Sequence, residues 1–315
     1  MALWQVPARV VTTALVALVV LDIALVGTAL RSTHSAEIDT SPVSPSSAPG
    51  GSAESPGSPS SSPGSPSSTG SVTVAKAPLQ TMIMALDAQR AWRVVAGSCA
   101  GGGAALATTA DGGKTWTKGT TTLRRIVRLR PSDNRTAFVI GANVTCAAEL
   151  RDTIDGGGTW TSAGTAGAWF RDPKMSTVVR APRASASQPC GKGAVLDLAV
   201  LATASARVLC ADGLVRSTAN NGVLWTDVAR VDGAVALAVP TVRSAESYVA
   251  RLGAPDCAGV QILRVQPRVA TSCVETSIPL VPGQIAMSLI EGGGWLAVGT
   301  TTMRSTDDLV TWAVS

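Results

Sequence analysis

The residue types that usually carry acid–base or metal chemistry are scarce in this 315-residue sequence. Its single histidine, His34, precedes a segment rich in serine and proline. The rest of the chain therefore has no imidazole for a Ser–His–Asp site, a metal ligand or a general base. Phosphate-binding loops, GxSxG elbows and HExxH motifs are absent as well. We predict no catalytic residues, no metal site and no cofactor.

The most basic stretch is residues 124–130, with the sequence Arg-Arg-Ile-Val-Arg-Leu-Arg. On a strand, Arg128 and Arg130 would share one face, because side chains alternate along a strand. Such a pair could contact an anion on an acidic glycan, a lipid headgroup or a partner peptide. The alternative is a solvated strand whose arginines pair with nearby acids. Nucleic acid is not an expected partner, because no aromatic residues are interleaved with the basic ones.

Six cysteines offer a third kind of chemistry. None lies in a CxxC motif, so neither a zinc site nor a redox motif is expected. An even number in a chain with an export segment predicts disulfides, and free buried thiols are the alternative. The strand pattern favours two pairs within single structural units and a third pair between successive units: Cys190–Cys210, Cys257–Cys273 and Cys99–Cys146.

The elements that would position these residues are short strands. After about residue 78, short aliphatic and β-branched runs alternate with Gly, Asp, Asn and Pro, and no stretch keeps a helical period. This pattern indicates an all-β barrel, sandwich or propeller. Examples of the predicted strands are Met82–Leu86, Ala137–Ile140, Leu196–Leu201 and Trp295–Val298.

An eight-residue repeat narrows the choice of fold. Residues 109–116 (Thr-Ala-Asp-Gly-Gly-Lys-Thr-Trp) recur closely at 153–160 and less closely at 218–225 and 305–312. We call these segments repeat turns 1 to 4. Their defining residues are Asp111 and Trp116, Asp155 and Trp160, Asn220 and Trp225, and Asp307 and Trp312.

The repeat resembles the Asp-box, or bacterial neuraminidase repeat, Ser/Thr-x-Asp-x-Gly-x-Thr-Trp. The first two copies match at every defined position, whereas Leu309 replaces the glycine of the fourth and predicts a different turn there. In the families that carry this box, it lies in the hairpin between the last two strands of a propeller blade, away from the active centre. The resemblance therefore implies a structural role for the aspartates and tryptophans.

The spacing of the repeat gives the number of blades. Its tryptophans are 44, 65 and 87 residues apart. The first interval is one blade, and the last is close to two, so a blade without the repeat should contain residues 247–252 and 259–265. We predict a β-propeller of four-stranded blades. Five blades are clear, and a sixth or more would have to come from extra material around 161–189.

The amino-terminal part has a different composition. Residues 10–30 form a 21-residue apolar stretch whose one charge is Asp22. At helical rise it spans about 31 Å, which predicts a transmembrane helix or signal anchor after a cytoplasmic segment 1–9. A cleaved signal peptide is the alternative, because Gly27 and Ala29 form a small-x-small site. Residues 31–77, rich in Ser, Pro and Gly, are predicted to be a disordered linker, followed by the propeller at 78–315.

Two classes of function remain open. One is a non-catalytic binding or scaffolding propeller, resembling photosystem II assembly-factor and sortilin-like propellers, held outside a bacterial membrane and binding an unknown protein or envelope polymer. The other is a degenerate sialidase-like protein that binds or hydrolyses glycans. The sialidase Arg-Ile-Pro signature is absent, and Tyr248 and Glu246 are not expected to form the Tyr–Glu pair of that family. Cleavage of the amino-terminal segment would make the protein secreted.

Overall fold

The computed structural model describes residues 76–183, 186–240 and 246–315, all of which lie in strands, turns and loops. The predicted cytoplasmic segment 1–9, the apolar segment 10–30 and the linker as far as residue 75 lie outside the described residues. Within the described ranges, no helix is long and apolar enough to cross a membrane.

The described chain is an all-β propeller with five four-stranded antiparallel blades, which confirms the predicted fold class. Each blade uses consecutive strands, and the first strands of neighbouring blades pack together except between blades 2 and 3, where other strands intervene. The strands are, in blade 1, β1 (Thr81–Ala85), β2 (Ala91–Val95), β3 (Ala105–Thr109) and β4 (Thr117–Lys118); in blade 2, β5 (Arg125–Pro131), β6 (Ala137–Ala142), β7 (Ala148–Thr153) and β8 (Thr161–Ala163); between blades 2 and 3, β9 (Phe170–Arg171) and β10 (Val179–Arg180); in blade 3, β11 (Val195–Ala202), β12 (Ser205–Cys210), β13 (Leu214–Thr218) and β14 (Thr226–Arg230); in blade 4, β15 (Ala234–Ala238), β16 (Tyr248–Arg251), β17 (Val260–Arg264) and β18 (Val269–Val274); and in blade 5, β19 (Ile285–Ile290), β20 (Gly293–Val298), β21 (Thr301–Ser305) and β22 (Ala313–Val314).

Hydrophobicity falls from the inside of each blade outward. The first strand β15 reads Ala-Val-Ala-Leu-Ala and is buried throughout, and β19 is buried at all but its last residue. Strands covered on both sides are continuously apolar for this reason. The fourth strand β14 reads Thr-Asp-Val-Ala-Arg and is largely accessible. The blade without the repeat is blade 4, where the sequence analysis placed it.

The ring has two distinct faces. The hairpin between the first and second strands of a blade opens at the same end as the hairpin between its third and fourth strands. This end, the turn face, carries the repeat turns, and the amide of Gly112 in repeat turn 1 donates to the carbonyl of Gln89 in the first hairpin of blade 1 (2.8 Å). The connections between second and third strands lie at the opposite end, the loop face, and include Cys99 and Cys146.

Tryptophans on second strands join adjacent blades at the turn face. The indole of Trp92 in β2 donates to the carbonyl of Asp133 in the first hairpin of blade 2 (2.9 Å). The indole of Trp295 in β20 likewise donates to the carbonyl of Asp87 in blade 1, also at 2.9 Å, and so closes the ring. Both tryptophan side chains are fully buried, so each hydrogen bond satisfies an indole N–H that has no access to bulk water.

The material between blades 2 and 3 is a partial blade. The indole of Trp169, directly before β9, donates to the carbonyl of Thr203 in the first hairpin of blade 3 (2.8 Å), as Trp92 and Trp295 do at their seams. Trp169 also packs edge-on against Trp225 at 6.2 Å, as Trp295 packs against Trp116 at 6.3 Å. Strand β9 therefore takes the place of a second strand, and the first strand of this unit is missing. The additional residues around 161–189 thus form this two-stranded partial blade and not a sixth four-stranded blade.

The centre of the ring is closed at the loop face. The segment preceding β1 crosses it, with the amide of Leu79 donating to the carbonyl of Leu196 in blade 3 (3.0 Å). The buried guanidinium of Arg171 donates to the carbonyls of Leu196 (2.9 Å) and Leu79 (3.4 Å). Asp197 is buried nearby and accepts from the amide of Leu237 in blade 4 (2.8 Å). The sequence did not predict a role for Arg171 or Asp197, because each is a single charged residue in a short strand and belongs to no repeat or motif.

Candidate functional site

The aspartates of the repeat turns hold their own turns together. Asp111 accepts from the hydroxyl of Thr109 (2.8 Å) and from the amide (3.0 Å) and hydroxyl (2.6 Å) of Thr115. Asp155 and Asp307 accept the equivalent three bonds in their turns. These bonds, led by those from Thr115 and Thr311, lower the pKa of Asp111 and of Asp307 to about 2. The carboxylates are thus ionised structural acceptors. Among the described residues, no group of three or more His, Cys, Asp or Glu is placed to hold a metal ion.

The two irregular repeat turns keep the same backbone shape. In turn 3, Asn220 accepts from the amide of Leu224 (2.9 Å) as an aspartate would. The expectation that Leu309 changes the type of turn 4 was wrong, because Leu309 adopts a left-handed φ of 69° and its amide donates to Ser305 Oγ (3.1 Å). The Leu309 side chain is 5% exposed, so burial of this side chain offsets the backbone strain.

The repeat tryptophans contact the preceding blade. The indoles of Trp160, Trp225 and Trp312 donate to Thr120 O (2.7 Å), Ser187 Oγ (3.3 Å) and Ser272 Oγ (3.0 Å), respectively. Trp116 instead packs edge-on against Trp295, and the guanidinium of Arg93 lies 4.2 Å from its ring centroid. Of the four repeat tryptophans Trp225 is buried, whereas the other three are partly exposed.

The three disulfides join the pairs of cysteines that the sequence favoured, but the expectation that Cys190–Cys210 lies within one structural unit was wrong. Cys190–Cys210 ties the partial blade to blade 3, and Cys257–Cys273 lies within blade 4. Cys99–Cys146 joins the second connections of blades 1 and 2 at the loop face. These three bridges use all six cysteines of the sequence.

The structure separates the two arginines proposed for anion contact. Both lie on β5, the first strand of blade 2, and Arg130 is exposed. Arg128 is half-buried, donates through Nη1 to the carbonyl of Trp169 and lies 5.3 Å from the Phe138 ring centroid. Burial lowers the pKa of Arg128 to about 10, and the charge of Arg130 adds to the effect. Arg128 is therefore an internal contact, and of the two only Arg130 presents its charge to solvent.

Two arginines of the run, Arg125 and Arg128, replace part of the strand that the partial blade lacks. Arg125 Nη1 donates to the carbonyl of Pro173 (2.8 Å), and Arg128 donates to that of Trp169. These carbonyls lie at either end of β9, on the side opposite β10, where a first strand would supply backbone donors. Sequence reasoning missed this role because nothing in residues 124–130 indicates that the neighbouring unit is incomplete.

Other arginines also join one blade to the next through backbone carbonyls. Arg93 donates to Thr300 (3.2 Å) and Arg207 to Glu246 (2.9 Å). Arg304 donates to Ala88 and Arg268 to Arg230. Part of the basic composition of the domain thus serves contacts between blades.

Tyr248 and Glu246 do form a pair, contrary to the expectation from sequence. The Tyr248 hydroxyl donates to Glu246 Oε2 at 3.0 Å, and Arg264 lies 3.5 Å from Oε1 of the same carboxylate. Glu246 precedes β16, so the alternation of side chains along a strand does not keep the two apart. Burial raises the pKa of Tyr248, and the hydrogen bond to Glu246 raises it further. The phenol is therefore a protonated hydrogen-bond donor at neutral pH.

Two depressions lie on the turn face. The larger, about 350 Å³, lies between repeat turns 1 and 2 and is lined mainly by polar residues, including Thr108, Asp111, Thr117, Asn134 and Arg135. The smaller, about 100 Å³, lies between blades 4 and 5 and is lined by Pro240, Tyr248, Leu289, Ile290, Gly292, Gly293, Asp308 and Leu309. We call the smaller one the seam pocket.

No protein-family model and no curated protein sequence matches the chain. Among solved structures, it is similar to YCF48 bound to D1 peptide, at 19% identity over 76% of this chain and 68% of that one, with a TM-score of 0.29. It is similar to a GH74 enzyme of Niastella koreensis at 15% identity, 74% and 46% coverage and a TM-score of 0.41, and so spans less than half of that enzyme. It is also similar to the six-bladed Aleuria aurantia lectin, at 10% identity, 75% and 95% coverage and a TM-score of 0.47. These neighbours are all β-propellers, and they include both binding proteins and an enzyme.

Proposed function

We propose that this protein is a non-catalytic binding or scaffolding propeller of the Asp-box type, displayed on the outer side of a bacterial membrane. The observation that carries the proposal is that the carboxylates and guanidinium groups that could bind or react with a ligand are used in hydrogen bonds within the fold. The repeat carboxylates bind their own turns, and the arginines at the seams donate to carbonyls of adjacent units. What remains for function is a rigid, disulfide-braced surface.

A sugar-binding function has less support. Lectins commonly stack sugar rings on exposed aromatic side chains. Outside the repeat turns, the tryptophans of the described chain are Trp92, Trp169 and Trp295, which are 0%, 1% and 0% exposed. None of them offers a stacking surface. We therefore favour a protein or an envelope polymer as the partner, with no nucleic acid and no cofactor.

The Tyr248–Glu246 hydrogen bond is the one observation that favours the alternative, a degenerate sialidase-like activity. Its position argues against that activity. Tyr248 shares the seam pocket with Asp308 and Leu309 of repeat turn 4, on the turn face, whereas the resemblance places Asp-boxes away from the active centre. Turnover of a sialoside by the purified protein, abolished by Tyr248→Phe, would support the alternative and overturn the proposal.

Display outside a membrane rests on the apolar segment 10–30, on the linker that follows it and on the three disulfides. Disulfides persist in oxidising compartments, which supports export. An anchor and a linker together would hold the binding surface away from the bilayer.

Cross-linking in intact cells tests the proposal. The full chain should be recovered with the same partner in repeated experiments, and the partner should persist when Tyr248 is replaced by Phe. Arg130→Glu reverses an exposed charge on β5, and Arg135→Glu reverses one in the next hairpin as a matched control. Loss of the partner only with Arg130→Glu would place the contact at Arg130, near the end of the first strand of blade 2. Failure to recover any specific partner would contradict the proposal.

A further inference from the structure

The outer strands of the five blades differ in length. An outer strand has only one neighbour, so alternate N–H and C=O groups along it point away from the blade and can pair with a further strand. In blades 1, 2 and 5 the outer strands β4, β8 and β22 have two, three and two residues, too few for a continuous edge. Among the described outer strands, β14 of blade 3 and β18 of blade 4 are the long ones, with five and six residues.

The edge of β14 is protected by charge and by side chains of the next blade. Two of its five residues, Asp227 and Arg230, are charged. Gln266 and Arg268, in the turn that precedes β18, donate to the carbonyls of Val228 (2.8 Å) and Arg230, respectively. Charged side chains and covered main-chain groups are the usual protection of an edge strand against pairing with another chain.

The edge of β18 has neither kind of protection. The strand reads Val-Ala-Thr-Ser-Cys-Val, carries no charge and leaves Val269 44% exposed. Trp312 of blade 5 contacts it through the Ser272 hydroxyl (3.0 Å), and no group outside blade 4 in the described chain bonds to its main chain. A bulge at Thr271 bends the strand, but β14 is bulged as well, so the bulge does not distinguish the two edges. A long, uncharged and uncovered edge is the kind that pairs with another strand.

Opposite charges border β18. Arg268 directly precedes the strand and Glu275 directly follows it, and both side chains are exposed. Neither forms an ion pair within the ranges that the structure describes. Two antiparallel copies of β18, centred on Thr271 or Ser272, would bring the Arg268 end of each copy to the Glu275 end of the other. The edge is therefore complementary in charge to a second copy of itself.

We propose that the propeller binds a second copy of this chain by antiparallel pairing of the two β18 edges. The pairing joins two four-stranded blades into one continuous sheet, as when an added strand extends an exposed edge. The contact uses the same surface on both copies and so closes at two. A six-residue edge makes a small interface, so the association is weak. This inference goes beyond the proposed binding function, because it sets two binding surfaces in each assembly.

Sedimentation velocity of the purified full chain tests the inference. The parent should pass from monomer towards dimer between about 10 µM and about 1 mM, the range of a weak interface. Ala270→Lys places like charges on two paired edges and should weaken association at least about fivefold. Ala163→Lys adds the same charge to an exposed position of the outer strand of blade 2 and should leave association unchanged. Urea unfolding of each variant checks that its fold is retained.

An exchange of the bordering charges separates edge pairing from other routes of association. Arg268→Glu alone and Glu275→Arg alone each give both ends of the strand the same sign and should weaken self-association about threefold to tenfold. An equimolar mixture of these two variants should restore association, because each carries the charge that the other lacks. The chain with both substitutions should also associate like the parent.

A parent chain that stays monomeric up to about 1 mM would overturn the inference. Association that Ala270→Lys leaves unchanged would do the same, and so would a mixture of the two charge variants that associates no better than either alone. All variants keep residues 1–75, so association through that segment would persist in every one of them and count against β18. Recovery of a different partner in cells does not depend on any of these results.

Discussion

The guanidinium of Arg128 donates a hydrogen bond to the carbonyl oxygen of Trp169, across the seam between blade 2 and the partial blade. Trp169 in turn donates through its indole to the carbonyl of Thr203 in blade 3 (2.8 Å). A chain of two hydrogen bonds thus connects two full blades through a unit that lacks its first strand. This arrangement gives Arg128 of β5 a structural role at the one seam where a first strand is missing.

The repeat tryptophans should differ in their contribution to stability. Trp225 is 9% exposed and packs on Trp169, so Trp225→Ala should lower the free energy of unfolding by about 3–5 kcal/mol. Trp160 is only partly buried, and Trp160→Ala should cost less, about 2 kcal/mol, because less surface is lost from the core. Urea unfolding of the two variants measures the difference. A larger loss for Trp160→Ala would show that the seam beside the partial blade is not the better packed one.

The repeat aspartates should make stability fall in acid. In the folded state the pKa of Asp111 and of Asp307 is about 2, below the value of 3.8 of the free side chain. A depressed pKa contributes stability that is present above the unfolded value and is lost as pH falls through the folded value. The loss should therefore fall between about pH 4 and pH 2.

Asn220 shows that asparagine can close the same turn, so Asp111→Asn with Asp307→Asn provides a matched test. The double variant should lose less stability than the parent over that acid range in urea unfolding experiments. An Asp232→Asn chain serves as the control. A parallel decline of the parent and the double variant would show that these carboxylates are not responsible.

The disulfide between blades 1 and 2 should matter more than the one inside blade 4. Cys99–Cys146 closes 47 residues and Cys257–Cys273 closes 16. On the chain-entropy model, loss of the longer cross-link should cost about 1 kcal/mol more. Paired Cys→Ser variants at each bridge, compared by urea unfolding, provide the measurement. A greater loss for the blade 4 pair would mean that native-state packing outweighs loop closure.

The proposed location predicts a clear result with protease. Protease added to intact cells should cut within the linker 31–77 and release an intact propeller, because the linker is expected to be the weakest point. Lysed cells provide the control for cleavage. Complete protection of the chain in intact cells, with cleavage after lysis, would contradict display on the outer side.

Much of the fold could be predicted because its information is local. A repeat turn needs an aspartate or asparagine, two hydroxyls and residues that tolerate positive φ within eight positions, so each copy is visible by itself. The spacing from Trp225 to Trp312 then predicted the position of blade 4. The predicted strand positions placed Cys99 and Cys146 at equivalent points of successive blades and so predicted their disulfide. In these cases the sequence pattern lies within the turn or repeats with the blade that it predicts, so it can be recognised without knowledge of distant contacts.

The candidate site could not be predicted as well, because its contacts join residues distant in sequence. Arg128 meets the backbone of Trp169, and a backbone carbonyl leaves no trace in the identity of its residue. The partial blade has no complete repeat, so its missing strand was not visible. Leu309 is buried at the seam between blades 4 and 5, where it lines a pocket together with Tyr248, and this contact is not visible from the sequence of the turn alone.

The roles of Arg128 and Arg130 provide the most direct test of this account, which holds that the arginine run is mainly a structural substitute for a missing strand. Arg128→Met and Arg130→Met keep an unbranched apolar stem and remove the guanidinium donors. Arg128→Met should lower the free energy of unfolding by about 1.5–3 kcal/mol, the usual value of a hydrogen bond to a charged group. Arg130→Met should change it by no more than about 0.5 kcal/mol, as expected of an exposed position. Equal losses, or a loss confined to Arg130→Met, would contradict the account.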